Sequence, residues 1–331
     1  MHRLEQLSKK GTEFLGCKYP IICGAMAWIS ESTLVSAVCE AGGFGTIACS
    51  SMPPEMLDKE IKATKAKTDK NFGVNLIVMH PQLDELIEIC KKNKVSHVVF
   101  AGGLPKTKHI KSLHEDGIKV IGFAPALKFA KRLIKSGIDA LLIEGTEAGG
   151  HIGAVSTSVL AQEVLLEVNE EIPVFVAGGI GRGEMIASYL LMGAAGCQLG
   201  TRFIATKEAK AHQNYKSLLL NSNPKDATIC NQIDPEFHVI PVRAIKNKGC
   251  DEFIAFQQKA IERCKKGEVT KEEAQLEIEN FWAGALRKAV VDGDVEMGSV
   301  MAGQSVGMVN EIKSVAEIID ELVAQTVEFL E

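Results

Sequence analysis

The chain has 331 residues, of which 46% are hydrophobic and 24% charged, and its net charge is −5. These values are typical of a globular protein with one large core and room for a smaller added region. The acidic balance argues against nucleic acid as a partner. The longest uncharged stretch, 185–201, is short for a membrane span and is interrupted by glycine, so no membrane partner is expected.

Nine cysteines occur singly along the chain, without a Cys-x-x-Cys pair. This pattern favours reduced thiols and predicts neither a disulfide framework nor a metal site. Residues 1–14 contain no apolar signal core. We therefore expect a cytoplasmic protein, and a homodimer stays open.

Short apolar runs alternate with helical patterns over the first two thirds of the chain. The predicted strand and helix pairs are 20–24 with 31–41, 44–48 with 53–67, 72–78 with 82–92, 97–100 with 106–115, 118–123 with 126–135, 139–143 with 157–168, 173–177 with 183–192, and 196–199 with 207–220. Eight such units close a (β/α)8 barrel, and uninterrupted apolar runs are expected for strands buried on both faces. We therefore predict an α/β fold of the (β/α)8 TIM-barrel type, with an open doubly wound sheet as the alternative.

The pattern changes after about residue 220. Residues 221–241 are polar and rich in turn formers, whereas 253–288 shows the spacing of two amphipathic helices broken near Gly267. Apolar residues at helical spacing predict a last helix over 314–330. We predict that residues 14–220 and 301–331 form the barrel, and that residues 221–300 form a smaller inserted helical cap that takes part in substrate binding.

Glycine-rich turns follow the seventh and eighth predicted strands, at the barrel end where active sites lie. Gly178 and Gly179 come after the seventh strand, and Gly200 and Thr201 come after the eighth. Barrels commonly bind phosphate between these two loops, where backbone N–H groups surround the anion. We predict a phosphate site formed by these four residues. The alternative is that the glycines only make tight strand-to-helix turns.

Three polar residues lie at or after the ends of other predicted strands. His151 lies among glycines in the loop after the sixth strand, and histidine suits proton transfer near neutral pH. Glu144 ends the sixth strand, where it can accept hydrogen bonds or cap the loop. Asn75 ends the third strand, and its amide can pair with the edge of a heterocyclic ring or form a turn. We predict a catalytic His151, with a structural or merely exposed histidine as the alternative.

Several motifs resemble those of the nitronate monooxygenase family, which includes the flavin-dependent enoyl-acyl-carrier-protein reductase II. The shared motifs are GAMAW (24–28), EAGGFGTIA (40–48), FGVN (72–75), EAGGHIG (147–153), AGGI (177–180) and GTRF (200–203). The segments that look specifically like the reductase are 206–216, 241–247, 284–309 and the loop EGTEAGGHIG at 144–153. The resemblance covers roughly residues 14–325 and implies a (β/α)8 barrel that binds FMN.

Carried over by position, the resemblance places the FMN ring against the backbone of Gly24, Ala25 and Met26 and beside Asn75. The ribityl chain would then meet Glu144, and the phosphate would lie between the two glycine turns.

The chain also departs from the family pattern beside the expected flavin. Cys23 stands where the pattern has glutamine, Ala25 replaces a glycine, and 48–51 lacks the usual glycine-rich loop. These departures leave the substrate preference open and do not affect the expectation of flavin binding.

His151 matches the active-site histidine of the family, and the resemblance implies two reactions. As the reductase, the enzyme would take hydride from NADH or NADPH through FMN and reduce a 2-enoyl thioester linked to an acyl carrier, as in fatty acid synthesis. As a nitronate monooxygenase, it would oxidise alkyl nitronates, which are small molecules, with O2. An NAD(P)H:quinone reductase and a non-catalytic FMN-binding protein are further alternatives.

The cap is expected to leave a groove beside the flavin for an acyl chain. Met297 and Met301 are flexible apolar residues that suit the lining of such a groove. The alternative is a cap that only seals the barrel or forms a dimer contact.

Overall fold

The computed structural model describes residues 1–50, 52–230, 233, 234, 237 and 241–331, and the side chains of 279, 280, 282 and 283 fall outside that description. The strands are β1 (Ile21–Cys23), β2 (Phe44–Ala48), β3 (Gly73–Ile77), β4 (His97–Ala101), β5 (Lys119–Ala124), β6 (Ala140–Glu144), β7 (Gly150–His151), β8 (Val174–Ala177), β9 (Gly196–Leu199), β10 (Ala227–Cys230) and β11 (Val242–Ile245). Eight of them close a parallel barrel in the order β1-β2-β3-β4-β5-β6-β8-β9. The predicted (β/α)8 barrel is thus confirmed, and the open sheet is excluded.

Helices follow the barrel strands in the order expected of a (β/α)8 fold. They are α1 (His2–Leu15), α2 (Ser32–Glu40), α3 (Pro54–Lys65), α4 (Leu83–Lys92), α5 (Thr107–Glu115), α6 (Leu127–Ser136), α7 (Thr157–Val168), α8 (Gly183–Leu191), α9 (Thr201–Ile204), α10 (Gln213–Leu220), α11 (Lys248–Lys265), α12 (Lys271–Arg287) and α13 (Val315–Leu330). In the described part of the chain, none of these helices is both long and apolar enough to cross a membrane.

The barrel interior is a packed core. Because side chains alternate along a strand, every second residue points inward, and the inward residues form one hydrophobic cluster. Its members include Ile22, Phe44, Val99, Ile121, Ala140, Leu142, Phe175 and Ala177. Helix α1 covers the N-terminal end of the barrel, where the His97 ring bonds to the Phe14 carbonyl oxygen at 3.0 Å. The opposite end, at the C-terminal ends of the strands, is where active sites lie in barrels of this type.

Helix α13 fixes the return of the chain onto the barrel. Its Thr326 hydroxyl donates to the Gly183 carbonyl oxygen at 3.0 Å, and the Gly183 N–H donates to Gln325 Oε1 at 2.8 Å. Arg202, just after β9, donates to Glu321 at 2.9 Å. These bonds hold the start of α8 and the segment after β9 against the last helix.

The segment after α10 packs around a hydrophobic cluster of its own. Helices α11 and α12 lie together, with the Phe253 and Phe281 rings 5.6 Å apart. The segment is not purely helical, because β10 and β11 pair with β7 in a three-stranded antiparallel sheet. The division into a barrel of 14–220 with 301–331 and a cap of 221–300 stays a prediction. Below, "the cap" means residues 221–300.

Some predicted elements differ from the structure. The eighth helix was expected over 207–220, but α10 begins at Gln213, because the Lys207 N–H donates to the Lys313 carbonyl oxygen and Thr206 bridges to Lys313. That contact holds the start of the segment extended, despite residues that favour a helix. Helix α1, the short α9 and the strands β7, β10 and β11 were not predicted. Ser51 and part of 221–241 lie outside the described residues.

Candidate active site

The two glycine turns lie side by side, because β8 and β9 are neighbours with Ala177 opposite Gln198. Gly178 and Gly179 have φ values of 100° and 72°, in the left-handed region that favours glycine. A Cβ on Gly179 would also lie 2.9 Å from Cβ of Glu147. Backbone conformation and packing therefore explain these two glycines, and their identity alone does not establish a ligand.

The N–H groups of the same turns give a stronger indication. Within the described residues, the N–H groups of Gly179, Gly200 and Thr201 donate to no protein acceptor. A Cβ on Gly200 would meet only Met26 Sδ, at an ordinary 3.5 Å, so packing does not require glycine there. Buried or enclosed N–H groups normally find a partner. Backbone N–H donors without a protein acceptor are the groups that bind an anion such as phosphate.

Three polar side chains occupy inward positions at the mouth of the barrel. Asn75 is 6% exposed; its Nδ2 donates to the Val99 carbonyl oxygen at 3.2 Å, and its Oδ1 accepts from no described residue. Glu144, at the end of β6, has no partner among the described residues, and burial raises the pKa of its carboxyl to about 8. Gln198 follows on β9, opposite Ala177 and Ile22.

Glu144 is therefore protonated at neutral pH and can both donate and accept a hydrogen bond. The sequence reading missed Gln198, although a polar residue inside the apolar run 196–199 was a visible signal. Gly24 lies beside it: a Cβ there would be 2.9 Å from Cδ of Gln198, so that flexible side chain would have to shift.

A serine holds the loop after β1 in place. The Ser30 hydroxyl donates to the Gly24 carbonyl oxygen at 2.8 Å and accepts from the Met26 N–H at 3.0 Å. The backbone of Gly24, Ala25 and Met26 is therefore fixed at the mouth. Trp28 follows with φ of 66° and is 40% exposed, an uncommon conformation for so large a residue. Neither Ser30 nor Trp28 was singled out from the sequence.

His151 is held by the cap. As part of β7 it pairs with Val242 of β11, and the Ile152 N–H donates to the Pro241 carbonyl oxygen at 3.1 Å. The ring is exposed to solvent, yet surrounding protein lowers its pKa by desolvation. The imidazole is therefore mainly neutral at pH 7.

Arg243 ties the loop before His151 to the cap. It is 5% exposed; its Nε donates to the Thr146 carbonyl oxygen at 2.9 Å and its Nη1 donates to the Ala227 carbonyl oxygen. Among the described residues, no carboxylate forms an ion pair with it. Arg243 lies in the segment 241–247, which resembles the reductase, but the sequence alone assigned no role to this arginine.

The chain returning from the cap closes the site from the other side. The Gln304 N–H donates to the Glu147 carbonyl oxygen at 2.9 Å, and the Gly303 N–H donates to Thr201 Oγ1 at 3.0 Å. Glu147 in turn accepts from the N–H and hydroxyl of Thr157, both at 2.6 Å. The loops after β6 and β9 are thus connected through the return segment.

Nine of the ten residues predicted for the site lie at or beyond the C-terminal ends of β1, β6, β8 and β9: Gly24, Ala25, Met26, Glu144, His151, Gly178, Gly179, Gly200 and Thr201. Asn75 was predicted to end the third strand but lies in the middle of β3, opposite Ala48, the last residue of β2.

Comparison with known proteins gives a consistent picture. The chain matches the family model of nitronate monooxygenase over residues 8–93 and 82–325. A relative from Rhodococcus jostii strain RHA1 is 30% identical, and the match covers 96% of this chain and 95% of the relative. That relative is named (3aS,4S,5R,7aS)-5-hydroxy-7a-methyl-1-oxo-octahydro-1H-indene-4-carboxyl-CoA dehydrogenase. A probable nitronate monooxygenase of Staphylococcus saprophyticus is also 30% identical, over 98% of this chain and 99% of its own.

Solved structures show the same likeness in three dimensions. FabK from Thermotoga maritima is 37% identical with a TM-score of 0.84, and the match covers 96% of both chains. Nitroalkane oxidase from Streptomyces ansochromogenes is 25% identical with a TM-score of 0.78, over 96% of this chain and 98% of that one.

Replacing Glu144 by glutamine tests the unpaired carboxyl without reference to any activity. In the unfolded chain the carboxyl loses its proton near its ordinary pKa of 4.5, whereas in the cofactor-free fold it keeps the proton to about pH 8. Wild-type stability therefore falls as pH rises through this window. We expect the free energy of unfolding of Glu144→Gln, measured in urea, to rise relative to that of wild type between about pH 5 and about pH 8. Above that range the difference between the two proteins should stay constant.

Glu163→Gln, on the exposed face of α7, is the matched control and should show no such trend. A gap for Glu144→Gln that does not change with pH would mean that the carboxyl is well solvated.

Proposed function

The chain belongs to the nitronate monooxygenase family and is an oxidoreductase, and we propose that it binds FMN and reduces 2-enoyl thioesters with NADH or NADPH. The carrier of the thioester is proposed to be an acyl-carrier protein or coenzyme A. The observation that carries the FMN proposal is the set of N–H groups at Gly179, Gly200 and Thr201 that donate to no acceptor among the described residues.

The remaining polar groups at the mouth suit the other parts of FMN. The backbone of Gly24–Met26, held by Ser30, is proposed to contact the isoalloxazine ring, and Asn75 Oδ1 is free to accept from the ring edge. Glu144 is neutral at pH 7, so it can bond to ribityl hydroxyls without repelling the nearby phosphate. Gln198, missed in the sequence, is proposed to bond to the flavin as well.

Two likenesses favour a thioester over a nitronate. The FabK structure, an enoyl-acyl-carrier-protein reductase II, is 37% identical, against 25% for the nitroalkane oxidase. The relative from Rhodococcus jostii has a coenzyme A thioester in its printed name. Both comparisons span almost the entire chain. A thioester is therefore the substrate class that we propose.

When bound, FMN supplies hydride transfer between the nicotinamide and the enoyl β-carbon, and the protein supplies binding and orientation. We propose that His151 donates a hydrogen bond from its neutral ring to the thioester carbonyl oxygen. Desolvation lowers the pKa of His151, so imidazolium is scarce at pH 7 and proton donation from it is the less favoured role. The pairing with β11 and the hydrogen bond from Arg243 hold the backbone of the loop that carries His151.

Nitronate oxidation is the second candidate, supported by one specific observation. A neutral His151 is also suited to remove a proton from a nitroalkane. The relative from Staphylococcus saprophyticus is named a probable nitronate monooxygenase.

The first experiment identifies the cofactor and the two half-reactions. We expect purified protein to release close to one FMN per chain, and NADH or NADPH to bleach it without oxygen. Adding a crotonyl thioester should then restore the yellow colour. FAD or no flavin after reconstitution would contradict the cofactor, whereas bleaching by an alkyl nitronate but not by NAD(P)H would favour the monooxygenase.

Replacing His151 by alanine separates catalysis from cofactor binding. We expect FMN content to be unchanged, because the proposed phosphate donors lie in other loops. Turnover of the enoyl thioester should fall about 10²- to 10³-fold, the loss typical of removing one hydrogen-bond donor to a reacting carbonyl oxygen. His2→Ala, on the exposed N-terminal helix at the opposite end of the barrel, is the control. Unchanged kcat/KM in His151→Ala would return this histidine to a structural role.

Met301 and Met297 test the acyl groove and form a matched pair, because both are half-buried. A Cβ on Gly150 would lie 3.5 Å from Met301 Sδ, so Met301 lies beside β7, whereas Met297 lies against Gly249 at the start of α11. We expect Met301→Ala to raise the ratio of KM for a long-chain enoyl thioester to KM for a crotonyl thioester. The expected rise is roughly four- to fifteenfold, which corresponds to the loss of one or two methylene contacts.

Met297→Ala should have a smaller effect on this ratio. Equal changes for long and short substrates in Met301→Ala would remove the case for an acyl groove at this place.

A further inference from the structure

The cap holds two cysteine thiols in direct contact. The Sγ of Cys230, the last residue of β10, donates to the Sγ of Cys250 at 3.1 Å. Cys250 lies in the first turn of α11, where Asn247 accepts from its N–H at 3.1 Å. The two residues are only 4% and 5% exposed. Elsewhere in the described residues the cysteines make no such thiol–thiol contact.

We propose that Cys230 and Cys250 form a reversible redox site, at which a hydroperoxide converts the two thiols to a disulfide. A disulfide requires a sulfur–sulfur distance of about 2.05 Å, so the two sulfurs need to approach by about 1 Å. A helix start and a strand end can make that movement by side-chain rotation and a small shift. The site has no part in the FMN chemistry proposed above.

Cys250 is the thiol that reacts first. Its position in the first turn of a helix favours the thiolate, and the hydrogen bond from Cys230 lowers its pKa. The same hydrogen bond raises the pKa of Cys230, which therefore keeps its proton. By contrast, burial raises the pKa of Cys90 and Cys197, which lack a thiol partner, so these thiols are expected to be inert.

The reaction is balanced in two steps. The Cys250 thiolate attacks a peroxide oxygen, so that an S–O bond forms, the O–O bond breaks and the second oxygen leaves as water after taking a proton. The Cys230 sulfur then attacks the Cys250 sulfur, forming the S–S bond and releasing the oxygen as a second water. Two thiols lose two electrons and two protons, and one hydrogen peroxide becomes two waters.

The redox site lies in the sheet that holds the proposed catalytic histidine. Cys230 is opposite Val242 in β11, and Val242 is opposite His151 in β7. Drawing β10 toward α11 therefore strains the strand that positions His151. This second part of the inference rests on the proposed function, and we expect the disulfide to slow turnover several-fold.

The test uses the full-length, flavin-loaded protein. Reduced protein is treated with hydrogen peroxide, the remaining thiols are blocked with N-ethylmaleimide, and a non-reducing digest is analysed by mass spectrometry. We expect a peptide pair joined through Cys230 and Cys250, which is lost on reduction with a phosphine. In Cys230→Ser, Cys250 should instead stop at a sulfenic acid that dimedone labels. Cys264→Ser, also in α11, is the control and should form the linkage normally.

The outcomes separate the two parts of the inference. If both thiols are blocked by maleimide after peroxide treatment, or if either is joined to another cysteine, the redox site is wrong. If the linkage forms and turnover is unchanged, the link to His151 is wrong. The linkage is read by mass alone, so a failure of the proposed reductase activity would leave this result intact.

Discussion

The closure of eight parallel strands is the constraint on which the rest of the structure depends. In a closed barrel all strands end at one rim, and alternation sends every second side chain inward. The register places Ala48 opposite Asn75, Glu144 opposite Ala177, and Ala177 opposite Gln198. Polar residues far apart in sequence therefore meet at one mouth, above an interior that is filled with apolar side chains and excludes water.

The cap supplies what the barrel does not: a fixed position for the histidine. The loop after β6 is long and rich in glycine, so by itself it has many conformations. Pairing of His151 with Val242 and the bonds from Arg243 remove that freedom. Among the described residues the buried Arg243 guanidinium bonds only to carbonyl oxygens, and burying such a charge is costly, so the join between cap and loop is made against a desolvation penalty.

Much of this arrangement could be predicted from the sequence, and the failures have physical causes. Long apolar runs such as Phe44–Ala48 and Gly196–Leu199 were predicted with their observed bounds, because burial on both faces leaves a clear pattern. The two-residue strand at His151 has no periodicity and exists only through its partner, so local reasoning could not find it. The Cys230–Cys250 contact likewise depends on tertiary neighbours, whereas Gln198 could have been noticed as a polar residue inside an apolar run.

The sheet between β7 and β11 also has a consequence for how the site is assembled. The bond from Arg243 to Thr146 spans 97 residues of chain, so the loop entropy of the intervening segment opposes it until both ends are in place. The eight barrel strands, by contrast, mostly pair with their neighbours in sequence. Ordering of the loop that carries His151 thus depends on contacts between residues far apart in sequence and is coupled to docking of the cap. A chain in which the barrel alone has formed would therefore have the glycine turns after β8 and β9 but no fixed position for His151, so the proposed site is complete only once the cap has docked.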